Sequence, residues 1–353
     1  MAVLITGGAG YIGSHAVKYF QDRGEDIIIL DNLQTGHREA IKQVDKFYRV
    51  DLTNSGNLKH IFKHNNIEAV IHFAAVALVG ESMEKPFEYY QNNVYGMLCL
   101  LEAMKDHGVD KIIFSSTAAV YGSPDGSPIF EYHRKQPINA YGETKLCMEK
   151  MMKWFSKAYG IKYVSLRYFN AAGAHESGTI GEAHNPETHL IPLVLEVPLG
   201  KRQFVSIFGD DYLTNDGTCV RDYVHVMDLA SAHYLALEYL REGINPSNVF
   251  NLGNGNGYSV KEVIETAEQV TGFPIPKVIQ ARRAGDPAVL VSSSMKAQRE
   301  LGWNPEFSSL EKIIQDAWNW HKNNPDGYEK RRCPAQILFQ MRPTWGLSGF
   351  VRW

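Results

Sequence analysis

The first 170 residues alternate short β-branched, apolar runs with longer stretches whose apolar positions return every three or four residues. Runs at 3–5, 27–30, 47–50, 69–73, 111–114 and 163–166 read as strands. Several are apolar throughout, the pattern of parallel strands covered on both faces. Helix-like stretches lie between them near 14–23, 55–65, 87–107 and 141–159. This alternation predicts an α/β chain built on a doubly wound parallel sheet.

Beyond residue 170 the pattern changes. Residues 171–220 are rich in Gly, His, Asn, Pro and Thr and read as loops, with a short helix near 189–199. A helix at about 226–241 and a strand at 249–252 return to the first sheet, and 258–271 and 308–323 read as helices of a smaller unit. The expected division is 1–170 plus about 221–256 for one domain, and about 171–220 with 257–330 for an interleaved α/β second one. Residues 331–353 hold four arginines and no acid. This tail has no amphipathic period and reads as an expression-derived or frame-shifted extension, or a disordered one.

The net charge is −3 over 353 residues, too balanced for a nucleic-acid binder. No apolar run reaches the ~18 residues of a membrane span, and the N-terminus lacks a basic leader. Four cysteines, none in a CxxC pair, read as reduced thiols of a cytoplasmic protein.

Two local patterns carry chemistry. Thr6-Gly7-Gly8-Ala9-Gly10-Tyr11-Ile12-Gly13 follows the first strand and opens the first helix. Glycines at Gly7, Gly10 and Gly13 allow a tight turn and close approach of a pyrophosphate to the helix N-terminus, the Rossmann arrangement. Asp31 ends the second strand, where a carboxylate takes ribose hydroxyls and repels a 2′-phosphate; with Asn32 rather than Arg next, NAD is expected over NADP. The second pattern is Tyr141-Gly-Glu-Thr-Lys145, a YxxxK whose two ends share a helix face. A lysine ammonium beside the phenol is expected to lower its pKa toward neutrality and make it a base for a hydroxyl proton. Thr117, at the end of the strand-five run Phe114-Ser115-Ser116-Thr117, adds a hydroxyl that relays or orients that proton.

Together the glycine loop, Asp31, Thr117 and the Tyr141/Lys145 pair resemble the extended short-chain dehydrogenase/reductase family. The strings His72-Phe-Ala-Ala75, Asn92-Asn93-Val94, Arg167-Tyr-Phe-Asn-Ala-Ala-Gly173, Val220-Arg-Asp-Tyr-Val-His-Val-Met-Asp228 and Arg283-Ala-Gly-Asp286 resemble its UDP-galactose 4-epimerase branch, over about residues 1–330. The resemblance implies tightly held NAD and interconversion of UDP-galactose and UDP-glucose. Hydride leaves sugar C4 for NAD as the Tyr141 phenolate takes the 4-OH proton, the 4-keto sugar rotates, and hydride returns to its other face.

By the same resemblance, cofactor contacts fall on Gly7, Gly10, Tyr11, Ile12, Gly13, Asp31, Asn32, Leu33, Gln34, Thr35, Gly36, Asp51, Leu52, Phe73, Ala74, Ala75, Asn92, Ser115, Thr117, Tyr141, Lys145 and Phe169. UDP-sugar contacts fall on Thr117, Tyr141, Asn170, His189, Leu190, Phe208, Arg221, Tyr223, Arg283, Asp286 and Leu290. The arginines suit a diphosphate and the aspartate suits ribose hydroxyls. The chain departs from many relatives in Ala77, where a lysine is common, and in His189, where an asparagine is usual. Leu290 matches a gate beside the sugar 2-substituent. A tyrosine there excludes N-acetyl sugars and a small residue admits them, so the size of leucine leaves UDP-N-acetylglucosamine/UDP-N-acetylgalactosamine epimerisation open. The helices near 87–107 and 145–159 imply a homodimer.

Rival chemistries lack residues. A 4,6-dehydratase needs an acid–base pair directly after the strand-five hydroxyl, and those positions are Ala118 and Ala119. A ketoreductase would release reduced cofactor each turnover. A non-catalytic NAD-binding regulator usually lacks the tyrosine or the lysine, and both are present. His60 and His64 read as a solvated helix face. His175, His184 and His189 follow no zinc spacing, so no metal is expected.

Overall fold

The computed structural model describes residues 1–124, 126–283 and 286–328. The expected character of 331–353 lies outside the described residues. In the first half the strands are β1 (Ala2–Thr6), β2 (Ile27–Asp31), β3 (Phe47–Arg49), β4 (Ile67–His72), β5 (Lys111–Thr117) and β6 (Lys162–Tyr168). The helices between them are α1 (Tyr11–Gln21), α2 (Ser55–His64), α3 (Val79–Glu84), α4 (Pro86–Tyr89), α5 (Gly96–Asp106) and α6 (Ala140–Tyr159). The single helix expected near 87–107 is α4 and α5 joined by a π-helical turn, Tyr90–Tyr95.

The second half adds β7 (Asn170–Ala172), α7 (Leu190–Leu195), β8 (Val205–Phe208), β9 (Val220–Arg221), β10 (Tyr223–His225), α8 (Val226–Arg241) and β11 (Asn248–Leu252). It ends with β12 (Tyr258–Ser259), α9 (Val260–Thr271), β13 (Lys277–Gln280), β14 (Val289–Leu290), α10 (Met295–Leu301) and α11 (Leu310–Asn323).

Seven strands form one parallel sheet in the order β11-β6-β5-β4-β1-β2-β3. The order reverses between β1 and β4, so the carboxyl ends of these two strands open the crevice where ligands of such sheets bind. Alternate strand residues face opposite sides. Val3, Ile5, Ile29 and Ile71 pack under α1 and α8, while Leu4, Ile28, Leu30 and Val70 pack under α2, α5 and α6. Both faces are covered, which is why β1 and β2 are buried at every position.

Helix ends follow local chemistry. The Asn139 side chain accepts the Gly142 N–H to start α6, and Gly160, at φ 76°, ends it. Ser259 and Glu262 form a capping box at α9. A third apolar cluster joins α7, α9 and α11 through Ile191, Leu195, Ile264 and Ile313. The region expected as loops also contains β7, β8 and β9, and its helix is shorter than the 189–199 expected. These strands of two to four residues lie in small sheets β10-β7, β12-β9-β14 and β13-β8, too short to show a period. Among the described residues no helix is long and apolar enough to cross a membrane.

Candidate active site

The glycine loop leaves β1 and enters α1 with almost no room to spare. A Cβ on Gly7, at φ +72°, would sit 2.5 Å from the Ala74 nitrogen, and one on Gly13 would sit 2.1 Å from the Gly7 carbonyl oxygen. Gly10 caps α1 without a side-chain partner. The first N–H groups of α1 therefore face a cradle whose walls are backbone, the shape a pyrophosphate requires.

The ribose side is equally determined. Asp31 Oδ2 accepts the Ala9 N–H at 2.9 Å and Oδ1 accepts the Leu33 N–H at 2.8 Å. Burial raises its pKa, and these two N–H groups oppose the rise. Leu33 is the one non-glycine described residue with positive φ, 59°, a conformation costing about 1–3 kcal/mol in a bulky residue. The turn is held because Asn32 donates to Asp51 Oδ2 at 2.8 Å and accepts the Gln34 N–H at 2.9 Å. Gly36 packs against Ala9, where a Cβ would collide at 2.9 Å. Thr35 and Gly10 line the same groove, and Tyr11 crosses it to donate to the Gly173 carbonyl at 2.6 Å.

At the carboxyl end of β4, the Phe73 and Ala74 N–H groups donate to the Thr6 carbonyl at 2.9 and 3.2 Å, fixing the Phe73–Ala75 loop beside the glycine loop. Leu52 is buried in the α2/α5 core next to it. Asn92 is half-buried in the π-helical turn.

Lys145 and Tyr141 occupy the first turns of α6, above the end of β5. Lys145 donates to the Ser115 carbonyl at 2.9 Å, and the Ser115 hydroxyl pairs with Tyr168 Oη at 2.6 Å. The Thr117 hydroxyl accepts the Ala119 N–H at 3.2 Å and lies near enough to the Tyr141 phenol to favour its ionised form. The expected pKa relation is corrected here. Burial pushes the Tyr141 phenol up to about 12, only partly offset by Thr117, and burial pushes Lys145 down to about 7. In the chain by itself the lysine does not bring the phenol toward neutrality.

The residues expected to hold a nucleotide sugar come from several segments far apart in sequence. Asn170, on β7, donates through its side chain to the Asp222 carbonyl at 3.0 Å. Leu290 of β14 pairs in register with Arg221 of β9, and Arg221 reaches Asp286 at 3.1 Å. Arg283 lies over the Phe208 ring at 3.9 Å. Tyr223 is buried on β10, and burial raises its pKa. Phe169 and Leu290 both pack against Val120, Tyr121, Ile129 and Leu146. His189 caps α7, which Leu190 begins, and its Nδ1 lies 2.5 Å from Glu182 Oε1.

Several supporting residues were not singled out from sequence. Asn93 accepts the Val76 N–H at 2.9 Å and donates to Thr144, tying the loop after β4 to α6. Asp222 accepts N–H groups of Asn254, Gly255 and Ser292. Glu149, one turn beyond Lys145, accepts Ser116 at 2.6 Å and Arg167 at 2.5 and 2.9 Å. Arg167 in turn donates to Tyr121, which donates to Asn251. Asn93, Arg167 and Asp222 stand inside recognisable strings, but their partners are 17 to 70 residues away.

A dinucleotide cradle at the switch point and a Tyr/Lys/Thr group beside it define a nucleotide-dependent oxidoreductase-type site. The sequence profile of the NAD dependent epimerase/dehydratase family matches residues 3–253, and the chain belongs to that family. It is 59% identical to a UDP-glucose 4-epimerase of Halalkalibacterium halodurans, over 95% of this chain and all of that protein. The solved UDP-glucose 4-epimerase of Bifidobacterium longum, in complex with NAD+ and UDP, is 41% identical at a TM-score of 0.86, over 93% of this chain and all of that one. The UDP-Glc/GlcNAc 4-epimerase of Campylobacter jejuni is 44% identical at a TM-score of 0.81, over 91% of this chain and 99% of that one.

Proposed function

We propose that this chain is an NAD-dependent isomerase that interconverts UDP-galactose and UDP-glucose. The observation that carries the reading is the buried Tyr141 on one helix face with Lys145 and near Thr117, with no carboxylate at Ala118 or Ala119. The cradle fits the dinucleotide: Gly7, Gly13 and Gly36 leave space that a single Cβ would fill, and Asp31 is preset for ribose hydroxyls. NAD, when bound, supplies the reversible hydride acceptor for sugar C4.

The chain's residues do the rest. Tyr141 Oη removes the proton of the sugar 4-hydroxyl, with Thr117 orienting it. Loss of that proton together with the C4 hydride leaves a 4-ketone, and return of both to C4 and its oxygen restores the alcohol with no net redox change. Lys145, on the same helix face as Tyr141, would favour the phenolate while charged, and the positive charge of NAD, when bound, would act in the same sense. Arg221, Arg283 and Asp286 hold the uridine diphosphate, and Asn170, Phe208, Tyr223 and Leu190 complete that side. An anchored nucleotide lets the uncharged keto sugar turn over between the two transfers. Leu290 borders the 2-substituent and sets whether an acetamido group enters.

In this reading residues 1–170 with about 221–256 form the cofactor domain, and about 171–220 with 257–330 form the nucleotide-sugar domain. We place the chain in the cytoplasm as a homodimer. Phe87 on α4 and Trp154 on α6, 74% and 65% exposed, support pairing through this face. Light scattering at monomer mass would remove the dimer.

Proton NMR of the purified protein with UDP-galactose, and separately with UDP-N-acetylgalactosamine, tests the activity without added reductant. New anomeric signals of the gluco epimer are expected in the first tube. Signals in the second show that Leu290 admits the acetamido group. Silence in both, with NAD shown to be bound, overturns the proposal.

A further inference from the structure

The segment between β7 and α7 straps the cofactor groove. The His37 ring nitrogen contacts the Ala183 carbonyl at 2.9 Å, and the Gly181 N–H donates to Tyr328 at 3.0 Å. The His184 ring stands edge-on to Tyr11 with centroids 6.1 Å apart. Within this strap Glu182, His184, Glu187 and His189 each present one ligand atom, all within 4.8 Å of one another. His175, the third histidine of this stretch, turns to Ser177; the absence of a metal expected from the spacing of the three is revised below.

The geometry is that of convergence on a point. His184 Nδ1 and His189 Nδ1 lie 2.9 and 2.5 Å from the same Glu182 Oε1, while Glu187 oxygens lie 4.0 and 3.5 Å from those nitrogens. With bonds of about 2.0–2.2 Å, two ligands of a tetrahedral cation stand roughly 3.4 Å apart; the two Glu187 separations are at or above that value, and the two Glu182–imidazole pairs, hydrogen-bonded in the metal-free chain, would open by less than about 1 Å to admit an ion. Glu182 is 3% exposed, and its backbone carbonyl accepts Trp320 Nε1–H at 2.8 Å, so one carboxylate is fixed inside while the other ligands approach from the loop. In the metal-free chain the two imidazoles themselves offset the buried Glu182 charge, and a bound cation would take over that compensation and release both ring nitrogens as ligands. Two imidazoles with two carboxylates suit a borderline transition cation better than calcium or magnesium, which take oxygen shells.

We propose that Glu182, His184, Glu187 and His189 bind a divalent transition-metal cation, zinc foremost, which pins the strap across the cofactor groove. Four protein ligands close the coordination shell, so the ion is structural. While it is bound, His189 is a metal ligand rather than a diphosphate contact.

The test uses untagged full-length protein, stripped with a chelator and titrated with Zn²⁺ against a chromophoric competitor, with metal counted by mass spectrometry. One zinc per chain is expected, and Co²⁺ in its place gives the visible bands of a four-coordinate site. Glu182→Gln, and His184→Ala combined with His189→Ala, should each weaken binding by more than the roughly 10–100-fold that loss of an outer partner costs. Circular dichroism and retained NAD report folding of the variants; His189→Asn serves where either unfolds. Wild-type protein that takes up no stoichiometric zinc overturns the proposal, as does zinc binding that survives in every variant. Zinc binding and UDP-galactose turnover are read separately, so failure of one does not imply failure of the other.

Discussion

The two walls of the cleft are made differently. The cofactor wall is mostly backbone from one continuous stretch, residues 6–36, plus the loop after β4, and its defining property is missing volume. The wall proposed for the nucleotide sugar is made of side chains from several separate segments, held by pairs such as Arg221–Asp286 and Arg283 over Phe208. A wall of missing volume fails with one added carbon. A wall of side chains loses one contact at a time.

Changes at the catalytic pair and on each wall separate these behaviours. The largest effect is expected for Tyr141→Phe. It removes only the acid–base oxygen, so turnover should fall by about 10²–10⁴ while NAD and UDP binding persist. Stopped-flow rates with ligand titrations check this, and a wild-type rate would reassign the base.

Gly13→Ala comes next. Its Cβ would meet the Gly7 carbonyl at 2.1 Å, so the loop must shift. NAD content after gel filtration should fall to a minor fraction, with a lowered melting temperature. Arg221→Ala should act more gently, raising KM for UDP-galactose roughly tenfold with NAD content unchanged, in keeping with loss of one charged hydrogen bond worth about 1.5–3 kcal/mol. If both variants lose NAD equally, the contrast between the walls collapses.

The smallest effect is on stability and belongs to the cofactor side alone. His15, His72 and His233 are buried, and burial lowers them to about 3, 3 and 4. They stay neutral in the folded chain while the unfolded chain protonates near 6.5. Their stabilising contribution is full above pH 6.5 and is lost as pH falls toward 3–4. Urea midpoints should therefore drop between pH 7 and 4, and His72→Gln should flatten that slope.

The glycine loop and its turn at Asp31 were legible in the sequence because their information is local. Gly7, Gly10, Gly13 and Asp31 lie within 25 residues, and the apolar runs mark β1 and β2. The Tyr141/Lys145 pair was legible for the same reason, but its electrostatics was not. Spacing shows that the two share a helix face, whereas the shifts to about 12 and 7 come from burial under later segments. Asp222 and Glu149 were missed as hubs because partners at Ser292 and Arg167 leave no periodic trace. The strap was missed similarly: Glu182, His184, Glu187 and His189 are near in sequence but follow no familiar spacing, and only the turn before α7 gathers them.

The strand order has a consequence for synthesis. β6 has β5 on one side from the moment both exist, but its other side is closed only by β11, 80 residues further on. Until residues 248–252 leave the ribosome, the β-branched and aromatic segment 162–168 presents an open row of backbone donors and acceptors. A nascent chain that stalls in this interval already has the finished glycine loop and the Tyr/Lys helix, yet carries an adhesive edge. The risk of aggregation is thus concentrated in the making of the protein, after its chemistry has been encoded and before its sheet is sealed.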